Sequence, residues 1–255
     1  MSFAVAADAY DRFMGRYSEP LAPVLADYAG ISSGQHVLDV GCGPGALTAE
    51  LVRRVGSAAV SAVDPSEPFV AAARDRFPDV TVRRASADEL PFPANSFDAA
   101  LAQLVVHFLE DPVAGVREMA RVSRQGAVVA ACVWDFTGSE GPLNLFWDVA
   151  RELDAEVEGE SNLPGAREGH LAELFDAAGL DEVEDGVLSI SVEHPTFEDW
   201  WEPFTLCVGP AGAHVAGLAP ERVEELRERC RERLPTPPFV LSALAWAVRG
   251  RAAAD

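Results

Sequence analysis

The stretch Val37-Leu38-Asp39-Val40-Gly41-Cys42-Gly43-Pro44-Gly45-Ala46-Leu47 constrains this chain more than any other. An apolar run breaks into three glycines at alternate positions, then resumes at a helical spacing through Leu47, Ala49, Leu51 and Val52. A buried parallel strand, a turn too tight for a Cβ and a helix N-terminus account for that pattern. Such a turn lets a ligand approach the backbone, and the helix start offers free N–H groups. The spacing also separates ligand classes. Dinucleotide sites use G-x-G-x-x-G, whereas here Gly41, Gly43 and Gly45 alternate.

Two acids follow at informative places. Asp64 ends a second strand, Ala59–Val63, about twenty residues past the glycine turn, where adenosine-binding folds place a carboxylate for ribose hydroxyls. Its competing role is to cap the helix announced by Phe69, Val70, Ala73 and Phe77, a role for which Ser66 also competes. A short third strand, Val80–Arg83, leads into Ala85-Ser86-Ala87-Asp88-Glu89-Leu90-Pro91-Phe92. A fourth, Phe97–Ala102, ends in Gln103-Leu104-Val105-Val106-His107-Phe108. Asp111 and Pro112 open a helix, and Ala127–Val133 forms a fifth strand with Trp134 and Asp135 at its end. In doubly wound sheets, ligands bind outside the carboxyl ends of the strands.

Taken in order, these motifs resemble those of class I S-adenosylmethionine-dependent methyltransferases, in the small-molecule branch that includes quinone-biosynthesis enzymes. The resemblance covers roughly residues 6–134. It implies an α/β, Rossmann-like, doubly wound seven-stranded sheet with the last strand antiparallel. It implies S-adenosyl-L-methionine as cofactor, bound at Asp39, Gly41, Gly43 and Gly45. Asp64 would take the ribose, with Pro65 or Ser66 against the nucleoside. Asp88, preceded by Ala87, would accept from the adenine amine, and Gln103 would face the methionine end. The segment Ala6–Tyr17, with Tyr10, Phe13, Met14 and Tyr17 at helical spacing, resembles the lid of relatives, and aromatic faces suit a sulfonium. Its plain reading is an amphipathic helix laid on the domain. Methyl transfer is an in-line displacement from an activated donor, so positioning outweighs dedicated catalytic groups. If the acceptor is a hydroxyl, His107 is the first candidate base, set against a structural histidine.

Beyond the fifth strand the pattern predicts a helix near Leu143–Leu153, a lid-like loop with an acidic run Glu152–Glu160, a helix His170–Ala178 and a half-buried sixth strand, Val187–Val192. Pro195–Pro238 reads as a cap inserted before the last strand, Phe239–Val248. Its Phe197, Trp200, Trp201 and Phe204 are read as packing rather than as an acceptor pocket. Val223, Leu226, Cys230 and Leu234 define an amphipathic helix whose outer face offers Glu224–Arg227, Glu225–Arg229 and Glu228–Arg231 pairs. The whole is expected as one domain, 1–255: lid and helices 1–30, cofactor core 31–134, acceptor side 135–194, cap 195–238, last strand and tail 239–255.

A formal charge of −21, from 41 acids against 20 bases, repels phosphate backbones and anionic membrane surfaces. Cys42, Cys132, Cys207 and Cys230 lack metal or redox spacing and fit a reducing cytoplasm. No secretory signal is evident, and no apolar run is long enough for a bilayer. The expectation is a cytoplasmic enzyme that methylates a small-molecule acceptor, with no metal, nucleic-acid or membrane partner and with homodimerisation left open. A nicotinamide oxidoreductase is disfavoured by the glycine spacing. A DNA amino-methyltransferase is disfavoured by charge and by Gln103-Leu104-Val105-Val106 where such enzymes resemble Asn/Asp-Pro-Pro-Tyr. The alternative is a non-catalytic S-adenosylmethionine-binding protein of the same fold, which a pocket plugged by Trp200 and Trp201 would favour.

Overall fold

The computed structural model describes residues 7–138 and 140–253. The first six residues, including the predicted lid start at Ala6, and the end of the tail lie outside them. The chain enters as one helical stretch. Helix α1 (Ala7–Tyr10) runs through a π-turn, Asp11–Gly15, into α2 (Arg16–Tyr28). Pro20 and Pro23 lie inside α2. Each proline removes one helical donor, but Tyr17, Leu21 and Leu25 bury a continuous face that holds the helix together.

Strand β1 (Val37–Val40) is buried at every position. It is followed by α3 (Ala46–Val55), β2 (Val60–Asp64), α4 (Glu67–Arg76) and β3 (Thr81–Arg84). The chain then crosses back through β4 (Phe97–Gln103), α5 (Pro112–Val122) and β5 (Ser123–Trp134). Asp111 caps α5 as its residue type predicts, accepting from the Ala114 N–H at 2.9 Å. After α6 (Asn144–Leu153) and α7 (His170–Ala178) come β6 (Asp181–His194) and, past the cap, β7 (Phe239–Arg251).

The seven strands lie in the order β3-β2-β1-β4-β5-β7-β6. Strands β1 to β5 are parallel, and β7 pairs antiparallel with both β5 and β6. The order reverses between β1 and β4, so their carboxyl ends open a crevice. Strand β6 is longer than the predicted Val187–Val192. Its first half is polar and exposed, so apolar alternation marks only the part lying over the core, while the backbone ladder to β7 continues past it. No helix among the described residues is long and apolar enough to cross a membrane.

The cap comprises α8 (Phe197–Trp201), a 3-10 turn Glu202–Leu206, α9 (Gly209–Gly217) and α10 (Pro220–Arg233). Phe204 stacks on Phe146 of α6 at 4.5 Å and meets the edge of Phe13 at 5.5 Å. Trp200 and Trp201 are buried. The Glu224–Arg227 and Glu228–Arg231 pairs form, but Glu225 pairs with Arg222 instead of Arg229. Arg227 and Arg231 also converge on Glu198 of α8. A second tie joins cap to helix. Arg16 donates to the Asp199 carboxylate at 2.7 Å and to its carbonyl at 2.8 Å. His194 is wholly buried between Asp199, at 3.2 Å, and the Tyr17 hydroxyl, at 3.3 Å.

The glycines of the first turn serve different ends. Gly41 has φ 73°, and a Cβ there would lie 2.4 Å from a Val105 methyl. Gly45 has φ 102°, and its Cβ would lie 2.5 Å from the Phe77 ring. Gly43, at φ 54°, faces open space. Gly43→Ala should therefore cost only the left-handed backbone penalty, about 1–2 kcal/mol. Gly45→Ala adds overpacking of about 1–3 kcal/mol and should melt several degrees lower in calorimetry, at about 2–4 °C per kcal/mol. Equal melting temperatures would refute the packing role of Gly45.

Candidate active site

Three hollows adjoin at the carboxyl ends of β1, β2 and β4. The largest, about 290 Å³, is bounded by the glycine turn, the end of β2, the Ala85–Asp88 segment and the loop after β4. A recess of about 20 Å³ lies at the turn itself, against Asp39, Ala46 and Gln103. An apolar annex of about 30 Å³ lies towards the cap, against Phe13, Trp134, Phe136, His107, Glu160 and Val208. Tyr10 and Leu104 wall all three. Leu104 has φ 60°, a left-handed conformation that a branched side chain rarely adopts, and its N–H donates to the Cys132 carbonyl at 2.9 Å. Backbone strain of this kind concentrates at functional sites.

Asp64 organises the large cavity. One carboxylate oxygen accepts the Gly43 N–H at 2.9 Å and the other accepts the Ser66 N–H at 2.8 Å. Burial raises its pKa, and these two backbone donors pull it back. Each oxygen keeps a further lone pair for a ligand. Thus the capping alternative and the ligand reading share one side chain: Asp64 ties the start of α4 to the glycine turn while lining the cavity. Ser66 holds the N-cap position of α4 without a side-chain capping bond. Asp39 lies beneath the turn, where burial pushes its pKa up to about 7 against a 2.6 Å hydrogen bond from the Thr48 hydroxyl. Gln103 donates to the Ser18 carbonyl at 2.9 Å, and its amide oxygen is buried without a partner among the described residues.

Of the residues singled out from sequence, Tyr10, Gly41, Gly43, Asp64, Pro65, Ala87 and Asp88 gather around the large cavity, and Asp39 and Gln103 border the recess. Gly45, Ser66 and Tyr17 line none of the three hollows. Gly45 instead packs against Phe77. Tyr17 corrects the lid reading. Its ring is buried edge-on to Trp134 at 6.2 Å, and its hydroxyl faces His194. A spacing of seven puts two residues on one face of an α-helix. The π-turn between Tyr10 and Tyr17 widens the winding and turns the second tyrosine away from the first.

His107 reaches the annex from a 3-10 turn, Val106–Phe108. Its ring packs on Phe108 at 3.8 Å and faces Phe136 at 5.7 Å. Burial drives its pKa down to about 3, which holds the imidazole neutral. Glu160 is the site residue that sequence reasoning missed. It closes an acidic run that reads as a solvated loop, yet it is 2% exposed. One carboxylate oxygen accepts the Trp147 indole N–H at 2.8 Å. Burial pushes its pKa up to about 7 against that bond. No periodicity distinguishes Glu160 from its acidic neighbours; only the folding of α6 and its loop over the annex does. Trp200 and Trp201 line none of the hollows, so these two side chains do not plug the site.

Residues 38–131 match the family described as a methyltransferase domain. An uncharacterized methyltransferase of Mycobacterium tuberculosis is 35% identical over 184 residues, which cover 72% of this chain and 70% of the relative. The ubiquinone/menaquinone biosynthesis C-methyltransferase of Bdellovibrio bacteriovorus is 36% identical over 109 residues, covering 41% of this chain and 46% of that enzyme. Among solved structures, phosphoethanolamine N-methyltransferase 2 of Haemonchus contortus, in complex with S-adenosylhomocysteine, aligns with a TM-score of 0.60 at 18% identity. That alignment covers 96% of this chain and 56% of the other, and at this identity it speaks to the fold alone. With the extended match to the mycobacterial relative and the strand order of the sheet, the glycine turn and its two acids place the chain: it belongs to the class I S-adenosylmethionine-dependent methyltransferases.

Proposed function

We propose that this chain transfers the methyl group of S-adenosylmethionine to a small-molecule acceptor whose reactive end enters the annex. The observation that carries this reading is the adjacency of a large, acid-lined cavity and an apolar annex across Tyr10 and Leu104. The residues present fit the donor. Gly43 leaves open space where a side chain would stand, and beside the same turn Gln103 holds a buried carbonyl oxygen without a partner among the described residues. Asp64 would hold the ribose, Asp88 the adenine amine, and Gln103 with Asp39 the methionine end. When bound, the donor supplies a methyl group already activated on a sulfonium. Tyr10 and Leu104 then orient it towards the annex, and the apolar walls keep water from competing. The net charge of −21 favours a cationic donor and disfavours a nucleic-acid substrate. The activity in the name of the Bdellovibrio relative, C-methylation in ubiquinone/menaquinone biosynthesis, is one on a small molecule. All four cysteines are free, which agrees with a reducing cytoplasm.

His107 serves this site as a neutral hydrogen-bonding group. A general base works best with a pKa near the operating pH, and burial has moved this imidazole far below it. Of the two roles the sequence left open, candidate base and structural histidine, this favours the second.

Titration calorimetry with S-adenosylmethionine and S-adenosylhomocysteine tests the reading directly. Asp64→Ala should weaken both by about tenfold or more, since charge-assisted hydrogen bonds contribute about 1.5–3 kcal/mol. Wild-type affinity in that variant would overturn the ribose assignment, and tight NADH binding with no response to either sulfur ligand would overturn the function. For His107, the folded-state pKa of about 3 lies below the ordinary 6.5. The unfolded chain therefore takes up the proton first as pH falls, and this group withdraws stability from 6.5 down towards 3, by up to about 1.4 kcal/mol per pH unit. His107→Phe should remove that acid sensitivity in denaturant titrations. The His107 ring signals should stay fixed between about pH 8 and about pH 5, and a midpoint near that of a free imidazole would refute its burial as a neutral ring.

A further inference from the structure

The annex holds two polar side chains whose hydrogen-bonding capacity is unmet. Glu160 spends one oxygen on the Trp147 indole, and its other oxygen has no partner among the described residues. His107 makes no hydrogen bond among the described residues, and its Nδ1 is buried without one. Both side chains are more than nine-tenths buried, Glu160 at 2% and His107 at 4% exposure, and both line the same hollow. Buried polar groups left unpaired are costly. The remaining walls, Phe13, Phe136, Leu143 and Val208 among them, are apolar.

We infer that Glu160 and His107 form the recognition pair for the methyl acceptor, and that this acceptor presents a hydroxyl on an apolar or aromatic frame. The inference rests on the methyltransferase reading above and narrows its substrate class. A carboxylate offers acceptors only, whereas a neutral imidazole offers one N–H donor and one acceptor nitrogen. A hydroxyl meets both at once, donating to Glu160 and accepting from His107. A methyl ether cannot donate, and an ammonium cannot accept. The annex, about 30 Å³, has room for such a group rather than for the body of a molecule. Sites built around a ligand hydroxyl reject analogues lacking it strongly, because their own polar groups are then left unpaired.

The test measures binding rather than turnover, on the full chain saturated with S-adenosylhomocysteine. The measurements are made at about pH 8, where Glu160 is largely ionised and phenol is neutral. Phenol, anisole and benzylamine are titrated by ligand-observed NMR. The wild-type chain should bind phenol about tenfold or more tightly over anisole, and more tightly than benzylamine. In Glu160→Gln the amide oxygen takes the Trp147 N–H and turns its NH₂ towards the annex. The preference for phenol over anisole should then shrink to about threefold or less, while S-adenosylhomocysteine affinity is kept. A wild-type chain that binds phenol and anisole alike overturns the inference, as does a preference that survives Glu160→Gln or a stronger hold on benzylamine. Should Glu160→Gln not fold, carboxyl-labelled wild-type chain gives the same decision: one buried glutamate ¹³C signal shifts with phenol and stays fixed with anisole. Loss of S-adenosylhomocysteine binding by the wild-type chain would instead bring down the methyltransferase reading itself, and the two failures are told apart in one set of titrations.

Discussion

The site depends on one carboxylate that holds two stretches of backbone together. Asp64 accepts from Gly43 in the first turn and from Ser66 at the start of α4. Those donors belong to segments that follow neighbouring parallel strands, so a single side chain sets the distance between them. The turn itself is fixed from behind. Gly41 backs onto Val105 and Gly45 onto Phe77, and both keep left-handed dihedrals that a Cβ would forbid. Only Gly43 faces outward to space. The cavity floor is therefore built from backbone held rigidly on two sides, which is what close approach of a ligand requires.

Around that floor, burial does most of the electrostatic tuning. Asp39 and Glu160 are pushed up to about 7, and His107 down to about 3, chiefly because each is removed from water. The protein carries a large negative charge, yet these three groups beside the site are drawn towards neutrality. Low polarity strengthens whatever hydrogen bonds they make and raises the cost of leaving them unmade. The pattern separates roles: solvated acids spread over the surface, and a few desolvated polar atoms are kept for contacts inside.

Much of this was legible in the sequence, and the rest was hidden for identifiable reasons. The glycine run and Asp64 carry local signatures, because a tight turn and a strand end dictate residue type directly, whereas Asp88 was picked out through the family resemblance. The alternation of apolar strands and helices gave the elements, and the resemblance to the methyltransferase family implied their doubly wound order and the antiparallel final strand, as the sheet has them. Tyr17 was misplaced because an inserted π-turn shifts the helical face, and no residue pattern announced it. Glu160 was invisible because its burial comes from packing of α6 and its loop, distant in sequence from the turn it serves. Glu225 chose Arg222 over Arg229, since exposed partners on either side of a helical glutamate compete on nearly equal terms. Strand β6 outran its apolar stripe because a backbone ladder needs no hydrophobic side chains to extend.

The bond between Arg16 and Asp199 joins the N-terminal helix to the cap. Phe13, three residues before it, forms one wall of the annex, and Val208 to Pro210, a short way beyond Asp199, form another. The two walls are thus fastened to each other as well as to the sheet. The ion pair is itself partly shielded and backed by the wholly enclosed His194, so the acceptor-side walls are anchored through a buried ring rather than through solvent-exposed contacts alone.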